Sequence, residues 1–255
     1  MSIQNTSPEN AEVLEKAKTW FKKRIVDTHI IRTDSLKVVT EFNINPFTAP
    51  YLSAFLTGDV TAEGIAKALV YPRVLGTSIS TSFGQNLQSF ISEVLSDAFG
   101  SLVSGIDISF IDKTDGRQKH AQLKLGPNTI NADDVTTIHN HFSGIRNLAR
   151  TNQVSVGVAD LVVCVMYGTE ADVSGHYKSL RDNHHYPLFV GKEFWYRLTG
   201  DEAFFAKLVQ AISQTLGEVN ASETVDGVIR QLANTSEIQA LASIARSAQT
   251  SQDSQ

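Results

Sequence analysis

The chain has 255 residues, of which 42% are hydrophobic and 19% charged, and its 22 basic and 27 acidic side chains give a formal net charge of −5. This composition excludes an intrinsically disordered chain and a uniformly basic nucleic-acid-binding surface, so any positive charge that binds DNA has to be local. The single cysteine, Cys164, excludes an internal disulfide and a cysteine-based zinc site, and it favours the cytoplasm.

The length allows one large domain or two small ones. No internal repeat or low-complexity linker divides the sequence, and we predict a single α/β domain with a helical N-terminal layer over residues 1–249, followed by a disordered tail over 250–255. The N-terminal residues lack the basic start and apolar core of a secretory signal. The apolar run from Val154 to Met166 is too short to cross a bilayer, and we expect no membrane partner.

The first predicted elements are helices. Apolar residues at helical spacing indicate an amphipathic helix from Pro8 to Arg24. A loop at Asn43–Phe47 follows, because proline and asparagine interrupt regular structure there, and the next helix is predicted near Thr61 to Tyr71.

Residues 76–84, GTSISTSFG, are small and rich in hydroxyl groups, and they lead into a helix predicted from Gln85 to Phe99. Free backbone N–H groups and the helix dipole at such an entrance favour an anion, such as a phosphate. A capped turn without a ligand explains the same residues equally well. The candidate phosphate contacts in and before this segment are Arg73, Ser78, Ser80, Thr81 and Ser82.

A β-hairpin is predicted next. Residues 106–111 and 120–125 are two alternating runs, and the Asp115-Gly116 pair between them is typical of a hairpin turn. A helix is predicted from Ala132 to Thr151, and the β-branched run over 154–167 predicts a central strand covered on both faces. The remaining predicted elements are a strand at 187–190 and helices at 193–198, 201–216 and 222–245.

Three polar residues of the predicted hairpin carry chemistry. Gln122 and Lys124 are two positions apart on the second strand, so their side chains share a face, and Asp107 on the first strand can join them there. A carboxylate and a lysine in an apolar hairpin are costly to bury unless a metal, partner or substrate compensates them. An ordinary Asp–Lys ion pair is the structural alternative.

The order of these elements resembles that of the PD-(D/E)xK nuclease superfamily: an acidic residue on one strand, a second ligand and a lysine on the next, and a helix directly after. Further segments resemble type II restriction endonucleases, especially the group that cuts GGNCC-like sites. These segments are Asn45–Phe47, Arg73–Gly84, Gln122–Gly126, Gly191–Trp195 and Leu198–Asp201. The resemblance implies an α/β restriction-endonuclease-like core, with a central mixed sheet flanked by helices and extra N- and C-terminal helices.

The sequence departs from the usual pattern of this superfamily at one position. Gln122 stands where a second acidic residue is expected, and a glutamine carbonyl binds Mg²⁺ without adding negative charge. By analogy with some relatives, Glu93 on the preceding helix can supply the missing carboxylate, with Asp97 as a second choice. A plain surface position is the alternative for Glu93.

The resemblance implies metal-dependent hydrolysis of double-stranded DNA with 5′-phosphate products. Asp107, Gln122, Glu93 and the backbone carbonyl of Leu123 are the expected ligands of one or two Mg²⁺ ions, which lower the pKa of bound water and neutralise charge on the phosphate. Lys124 is expected to position the water and stabilise negative charge on a phosphate oxygen.

Base recognition is predicted in the polar segment over 174–186, which we interpret as a loop. Arginine, lysine and asparagine side chains are suited to base edges in a groove. The candidate residues are Lys178, Arg181, Asn183, His184 and His185. A solvent-exposed surface segment with no DNA contact is the alternative.

Three other kinds of site are set aside. Zinc binding is disfavoured because His139 and His141, two apart on a helix, face different directions, and the adjacent pair His184-His185 has no cysteine or acidic partner at metal-site spacing. No G-x-S-x-G elbow supports a serine nucleophile, and the glycines form no phosphate-binding P-loop.

The leading hypothesis is therefore a homodimeric type II restriction endonuclease of a restriction–modification system, since a palindromic site is most simply read by two-fold related subunits. A second hypothesis is a DNA-binding protein on the same fold in which Gln122 marks lost catalysis. A third is a repair nuclease that recognises DNA structure instead of sequence.

Overall fold

The computed structural model describes residues 6–77, 84, 86–95, 105–153, 155–215 and 221–250. Its α-helices, in chain order, are α1 (Pro8–Trp20), α2 (Asp27–Ser35), α3 (Thr48–Thr57), α4 (Ala62–Pro72), α5 (Ala132–Thr151), α6 (Gly175–Asp182), α7 (Lys192–Thr199), α8 (Phe204–Gln214), α9 (Ala221–Ala233) and α10 (Ser236–Thr250). Its strands are β1 (Ile108–Ile111), β2 (Gln118–Lys124), β3 (Leu161–Val165) and β4 (Leu188–Val190). The predictions for Ser78, Ser80, Thr81, Ser82 and Asp97 lie outside the described residues, and so does the predicted tail over 250–255 except for Thr250, which is the last residue of α10.

The chain groups into two compact units, one of residues 1–20 and 86–215, the other of residues 21–85 and 216–255. The first unit holds the sheet, whose strands lie in the order β1-β2-β3-β4. β1 and β2 are antiparallel, whereas β2, β3 and β4 are parallel. The predicted fold class, an α/β protein with a central mixed sheet flanked by helices, is confirmed.

Helices cover both faces of this sheet because β3 is apolar on each side. All five residues of β3 are buried. Leu161, Val163 and Val165 pack in one cluster with α5 and α6, through residues such as Phe142 and Leu180. On the opposite face, Phe110 of β1 packs edge-to-face on Phe194 of α7, with ring centroids 6.5 Å apart. α1 packs on α8 in the same unit.

The hairpin turn between β1 and β2 is closed by Asp112 and Gly116. Gly116 has a φ of +70°, a conformation that glycine adopts without strain, and its N–H donates to the carbonyl of Asp112 at 2.8 Å. The Asp112 carboxylate is fully buried, accepts a hydrogen bond from the backbone of Thr114 at 2.8 Å and pairs with Arg197 at 2.8 Å. This ion pair anchors the hairpin to α7.

Replacing Asp112 by alanine is expected to lower the free energy of unfolding by about 3–5 kcal/mol, because Arg197 loses its buried counter-ion and the N–H of Thr114 loses its acceptor. Glu193, half exposed, binds the same guanidinium at 3.0 Å, so Glu193→Gln is the matched control, with an expected cost of at most about 1 kcal/mol. Urea unfolding measures both values. Equal losses for the two variants would contradict the assignment.

The second unit, in its described residues, consists of helices packed around α4. Thr61 begins α4 by accepting a hydrogen bond from the N–H of Gly64 at 2.9 Å. Its apolar face, with Ile65 and Val70, packs against Val228 and Leu232 of α9. Within the described residues, no helix combines the length and the apolar character needed to span a membrane.

Two predicted helices are wrong in extent. The α-helical hydrogen bonding that starts at Pro8 ends at Trp20, and a wider π-helical turn over Phe21–Val26 leads into α2. The helix predicted over 222–245 is two helices. Its break falls at Asn234-Thr235, where the Thr235 hydroxyl donates to the carbonyl of Leu232 at 2.7 Å and closes the end of α9.

Two further predictions are wrong because tertiary contacts override the local pattern. The segment over 174–186 is not all loop: α6 forms within it, since Tyr177 and Leu180 are three apart and both fully buried. The strand predicted over 154–167 begins only at Leu161. Before it, Val158–Asp160 form a 3₁₀ turn in which the Asp160 carboxylate accepts a hydrogen bond from the N–H of Gly157 at 3.0 Å.

Candidate active site

The register of the hairpin brings Asp107, Gln122 and Lys124 to one face of the sheet. Ile108 pairs with Ala121, and Asp107 lies directly before β1, opposite Gln122. Opposite residues of antiparallel strands point to the same face, and so do residues two apart on one strand. Gln122 pairs with Val163 and Lys124 with Val165 of β3, so this is also the face covered by α5.

The Asp107 carboxylate is held by the backbone of the neighbouring strand. Its Oδ2 accepts a hydrogen bond from the N–H of Leu123 at 2.7 Å. Burial raises the pKa of the Asp107 carboxyl above its ordinary value, while the Leu123 hydrogen bond and the nearby Lys124 and His141 oppose that rise. A carboxylate whose pKa is raised by burial is stabilised more by an adjacent cation than a fully solvated carboxylate is.

The peptide groups of β2 alternate in direction, and this alternation presents the Leu123 carbonyl towards β1. The carbonyl of Lys124 accepts from the N–H of Met166 at 3.0 Å on the β3 side. The N–H and carbonyl of Leu123 therefore point the other way, where the N–H already meets Asp107. A carboxylate and a backbone carbonyl thus lie at the same edge of β2.

Gln122 is almost fully buried and is bonded through its amide nitrogen. Nε2 donates to the carbonyl oxygen of Gly105 and lies 3.2 Å from Nδ1 of His141. The amide oxygen has no donor in the described part of the chain. Gln122 thus keeps an oxygen without a donor on the face of the hairpin that also carries Asp107.

Lys124 is linked to the N-terminus of α5. Its Nζ lies 3.4 Å from Oδ1 of Asp134, and roughly a quarter of the side chain is exposed. The other carboxylate oxygen of Asp134 accepts from the N–H of Asn131 at 3.0 Å, and Asn131 accepts in turn from the N–H of Asp134 at 3.0 Å. This capping box fixes Asp134 beside Lys124, but the long ion pair leaves the ammonium group able to take another partner.

Asp134 and His141 are the two residues of this site that the sequence reasoning missed. They are seven positions apart on α5, which is two helical turns, so they lie on the same face of the helix. That face meets Lys124 and Gln122, which are two positions apart on β2. The sequence signal that could have revealed these contacts is that two polar residues seven apart on a helix share a face, as do two polar residues two apart on a strand.

A comparison with known protein families identifies the family of this chain. The sequence model of the family described as type II restriction endonuclease EcoO109I matches residues 15–220, well over half of the chain. The chain belongs to this family. The matched residues include Asp107, Gln122 and Lys124. No curated protein matches the chain. Membership of the EcoO109I family makes the chain a type II restriction endonuclease by descent and implies DNA binding.

Glu93 belongs to the same compact unit as the hairpin, and its role as a metal ligand stays a prediction. Glu93 is exposed on the π-helical turn Ile91–Leu95. Its carboxylate accepts from the hydroxyl of Ser89 at 2.7 Å, and that hydroxyl accepts from the indole N–H of Trp20 at 2.9 Å.

Two of the residues predicted to read bases, Arg181 and Asn183, have hydrogen-bond or ion-pair partners within the unit that holds the sheet. Arg181 pairs with Glu170 and with Asp182, the latter at 2.7 Å. Asn183 donates to the hydroxyl of Ser179 at 3.0 Å. These contacts hold both side chains against α6. Each side chain has to break its present contact before it can bind a base.

The remaining base-reading candidates surround the end of α6. His184 packs against His139, with ring centroids 4.4 Å apart and ring planes tilted by 39°, whereas Lys178 and His185 are exposed. The two histidines of α5 therefore have different neighbours, His139 meeting His184 and His141 meeting Gln122. Of the five base-reading candidates, Lys178 and His185 are therefore the accessible ones whose side chains are not held by a partner among the described residues.

Arg73, a candidate phosphate contact, lies in the second unit. It is exposed, its guanidinium donates to the carbonyl of Glu41 at 2.9 Å, and it lies 5.6 Å from the ring centroid of Phe42. These contacts are to a backbone oxygen and an aromatic face, so the charge of Arg73 is not neutralised by them.

Proposed function

We propose that this member of the EcoO109I family is a PD-(D/E)xK nuclease that hydrolyses phosphodiester bonds of double-stranded DNA at a specific sequence, depends on Mg²⁺, and leaves 5′-phosphate ends. One observation carries the proposal: Asp107, Gln122 and Lys124 share one face of the hairpin, and the carboxylate is fixed by the N–H of Leu123. The family match supplies the independent support. The GGNCC-like specificity of similar enzymes is the first sequence class to test.

The oxygen donors at this face are few and carry a single negative charge, which suits Mg²⁺ that is also bound by substrate phosphates. They are one carboxylate, from Asp107, one amide oxygen, from Gln122, and the backbone carbonyl of Leu123. Within the described residues, no cluster of three or more His, Cys, Asp and Glu side chains is arranged to hold a metal ion. Mg²⁺ is commonly bound by one or two carboxylates together with water and substrate phosphates. We therefore expect tight binding only when DNA supplies phosphate oxygens.

The protein groups have separate tasks in this proposal. Bound Mg²⁺ supplies a water of lowered pKa and positive charge beside the scissile phosphate. Asp107 and Gln122 would hold the ion through their side-chain oxygens, and the Leu123 N–H keeps the carboxylate in place. Lys124, only loosely paired with Asp134, donates to a phosphate oxygen on which negative charge develops. Glu93 remains the proposed source of a second carboxylate.

The DNA contacts proposed outside the reacting centre follow from exposure and charge. Lys178 and His185 at α6 are proposed to meet a groove or its phosphates. Arg181, Asn183 and His184 join them only if their present partners are released.

A second function, DNA binding without cleavage, is favoured by one observation. Gln122 is neutral where the superfamily pattern has an acid, so the site carries one carboxylate fewer. Loss of a metal-binding charge is one route by which a nuclease fold becomes a binding protein.

A cleavage assay separates the two functions. Purified protein is incubated with unmodified phage DNA and Mg²⁺, then with Mn²⁺, and in parallel with a chelator. We expect discrete bands that disappear with the chelator, and ligatable 5′-phosphate ends. Protein that shifts DNA but cuts it with neither metal would support the binding function. Cutting only of branched or mismatched duplexes would support a repair nuclease.

We further propose that the protein acts as a homodimer, through an exposed apolar stripe at α3. Phe47, Tyr51 and Phe55 are spaced four residues apart, and 86%, 64% and 78% of their respective surfaces are exposed. Leu52 and Leu56 widen the same region. Exposed apolar patches of this kind mark protein–protein contacts, and the two strands of a palindrome are most simply cut by two active sites related by a two-fold axis.

Phe55→Glu is expected to convert a dimer into a monomer and to reduce double-strand cleavage, because it places a charge in the middle of the stripe. Ile244, on α10 of the same unit, is 69% exposed and is not part of the stripe, so Ile244→Glu is the control and should stay dimeric. Sedimentation velocity measures both. A monomeric wild-type protein, or a dimeric Phe55→Glu variant, would refute this proposal.

A further inference from the structure

The amide group of Gln122 is held in one orientation by two acceptors. Its Nε2 has two N–H donors, one directed to the carbonyl oxygen of Gly105 and one to Nδ1 of His141 at 3.2 Å. In the tautomer of His141 that carries its proton on Nε2, Nδ1 is an acceptor, and rotating the amide by half a turn would bring Oε1 against both acceptors and leave both hydrogen bonds unmade. The amide oxygen therefore points away from Gly105 and His141.

The ring of His141, an exposed residue of α5, packs against Gly105. Gly105 has a φ of +85°, and a Cβ added there would lie 3.0 Å from Cγ and 3.2 Å from Cβ of His141. Only glycine allows both this backbone conformation and this closeness to the imidazole. Two independent features, the hydrogen bond and the ring packing, thus connect Gly105, Gln122 and His141.

We propose that His141 is a positioning residue that turns the carbonyl oxygen of Gln122 towards the metal side of the site. The inference rests on the proposed function, because it assigns the free oxygen of Gln122 as a ligand. Without the acceptor at position 141, only the Gly105 carbonyl still holds the amide, so the amide turns more easily and presents its NH₂ group to the cation, a repulsive contact. Gln122 and His141 work as one unit in place of the carboxylate that the superfamily pattern has at position 122.

The proposal predicts a specific defect. His141→Ala is expected to raise the Mg²⁺ concentration for half-maximal cleavage by about 10- to 100-fold, the range typical of losing a partner behind a metal ligand, with a much smaller change in rate at saturating Mg²⁺. His141→Asn keeps an acceptor close to the position of Nδ1 and should recover most of the loss. Asn140→Ala, an exposed neighbour on α5, is the matched control.

A double-mutant cycle distinguishes positioning from general stability. In a Gln122→Ala background there is no amide left to orient, so His141→Ala should cause no further increase in the Mg²⁺ requirement. An equal increase in both backgrounds, or no increase in either, would overturn the proposal.

A measurement on metal-free protein is independent of nuclease activity. The side-chain NH₂ signals of Gln122, assigned with the Gln122→Ala variant, are expected to be protected from exchange in the wild type and in His141→Asn. They should shift and exchange faster in His141→Ala. Gly105→Ala, which pushes on the ring without removing it, should have the same effect. Signals that are unchanged in His141→Ala would refute the orientation, whereas the expected signals from a protein that never cuts DNA would refute only the nuclease function.

Discussion

Lys124→Ala is expected to lower the rate of DNA cleavage by about 100- to 1,000-fold while DNA affinity stays within a few-fold of the wild type. The ammonium group acts on negative charge that develops at the phosphate as the bond breaks, so its removal destabilises the transition state more than the bound DNA. Single-turnover cleavage and a DNA-binding titration in Ca²⁺, carried out on the same preparations, measure the two quantities separately.

Lys67→Ala provides the matched control for this variant. Lys67 also pairs with one carboxylate, Glu63 at 2.6 Å, but it does so on the surface of α4 in the other unit. Neither cleavage nor binding should change. Cleavage at the wild-type rate by Lys124→Ala would remove Lys124 from the site.

Asp107→Asn is expected to have two opposite effects, loss of cleavage and gain of stability. The variant has no carboxylate for the metal, so cleavage should be lost. In chelator, however, its unfolding temperature at neutral pH should exceed that of the wild type by a few degrees. Burial raises the pKa of Asp107, which means that the folded state disfavours the ionised form. The asparagine oxygen can still accept the hydrogen bond from Leu123.

The pH dependence of this stability difference has a defined sign. An acid whose pKa is raised on folding destabilises the folded state increasingly as pH rises from the ordinary value of 3.8 through the raised value. The advantage of Asp107→Asn should therefore be complete at neutral pH and disappear as pH falls towards 3.8. Thermal melts in chelator across this range test it.

Adding Mn²⁺ and DNA should reverse the order, because only the wild type gains stability by binding the metal. A variant that is less stable than the wild type in chelator, or equally stabilised by the metal, would show that Asp107 has a structural role instead.

The hairpin and the helix behind it were predictable because their determinants are local. The alternating runs over 106–111 and 120–125, with Asp115-Gly116 between them, define the pairing, and the pleat then places Asp107 and Lys124 on one face. α5 has the predicted bounds, Ala132–Thr151, because Asn131 and Asp134 form a capping box at its start. Each of these signals lies within a few residues of the element that it specifies.

The contacts made by α5 were not predictable, because they depend on how the helix is rotated against the sheet. The sequence shows His141 only as a polar residue on an amphipathic helix. Its hydrogen bond to Gln122 and its packing on Gly105 arise from tertiary packing over a separation of 19 and more residues. α6 was missed for a related reason: its polar sequence is helical because Tyr177 and Leu180 find a buried surface.

The most direct test of this site is the position of a bound metal ion. Crystals of the protein with Mn²⁺ and a duplex that contains the mapped cleavage sequence would show it by anomalous diffraction. We predict a peak about 2 Å from a carboxylate oxygen of Asp107, close to the amide oxygen of Gln122 and to a DNA phosphate. A Mn²⁺ peak at the reacting phosphate with Asp107 outside its coordination sphere would contradict the assignment.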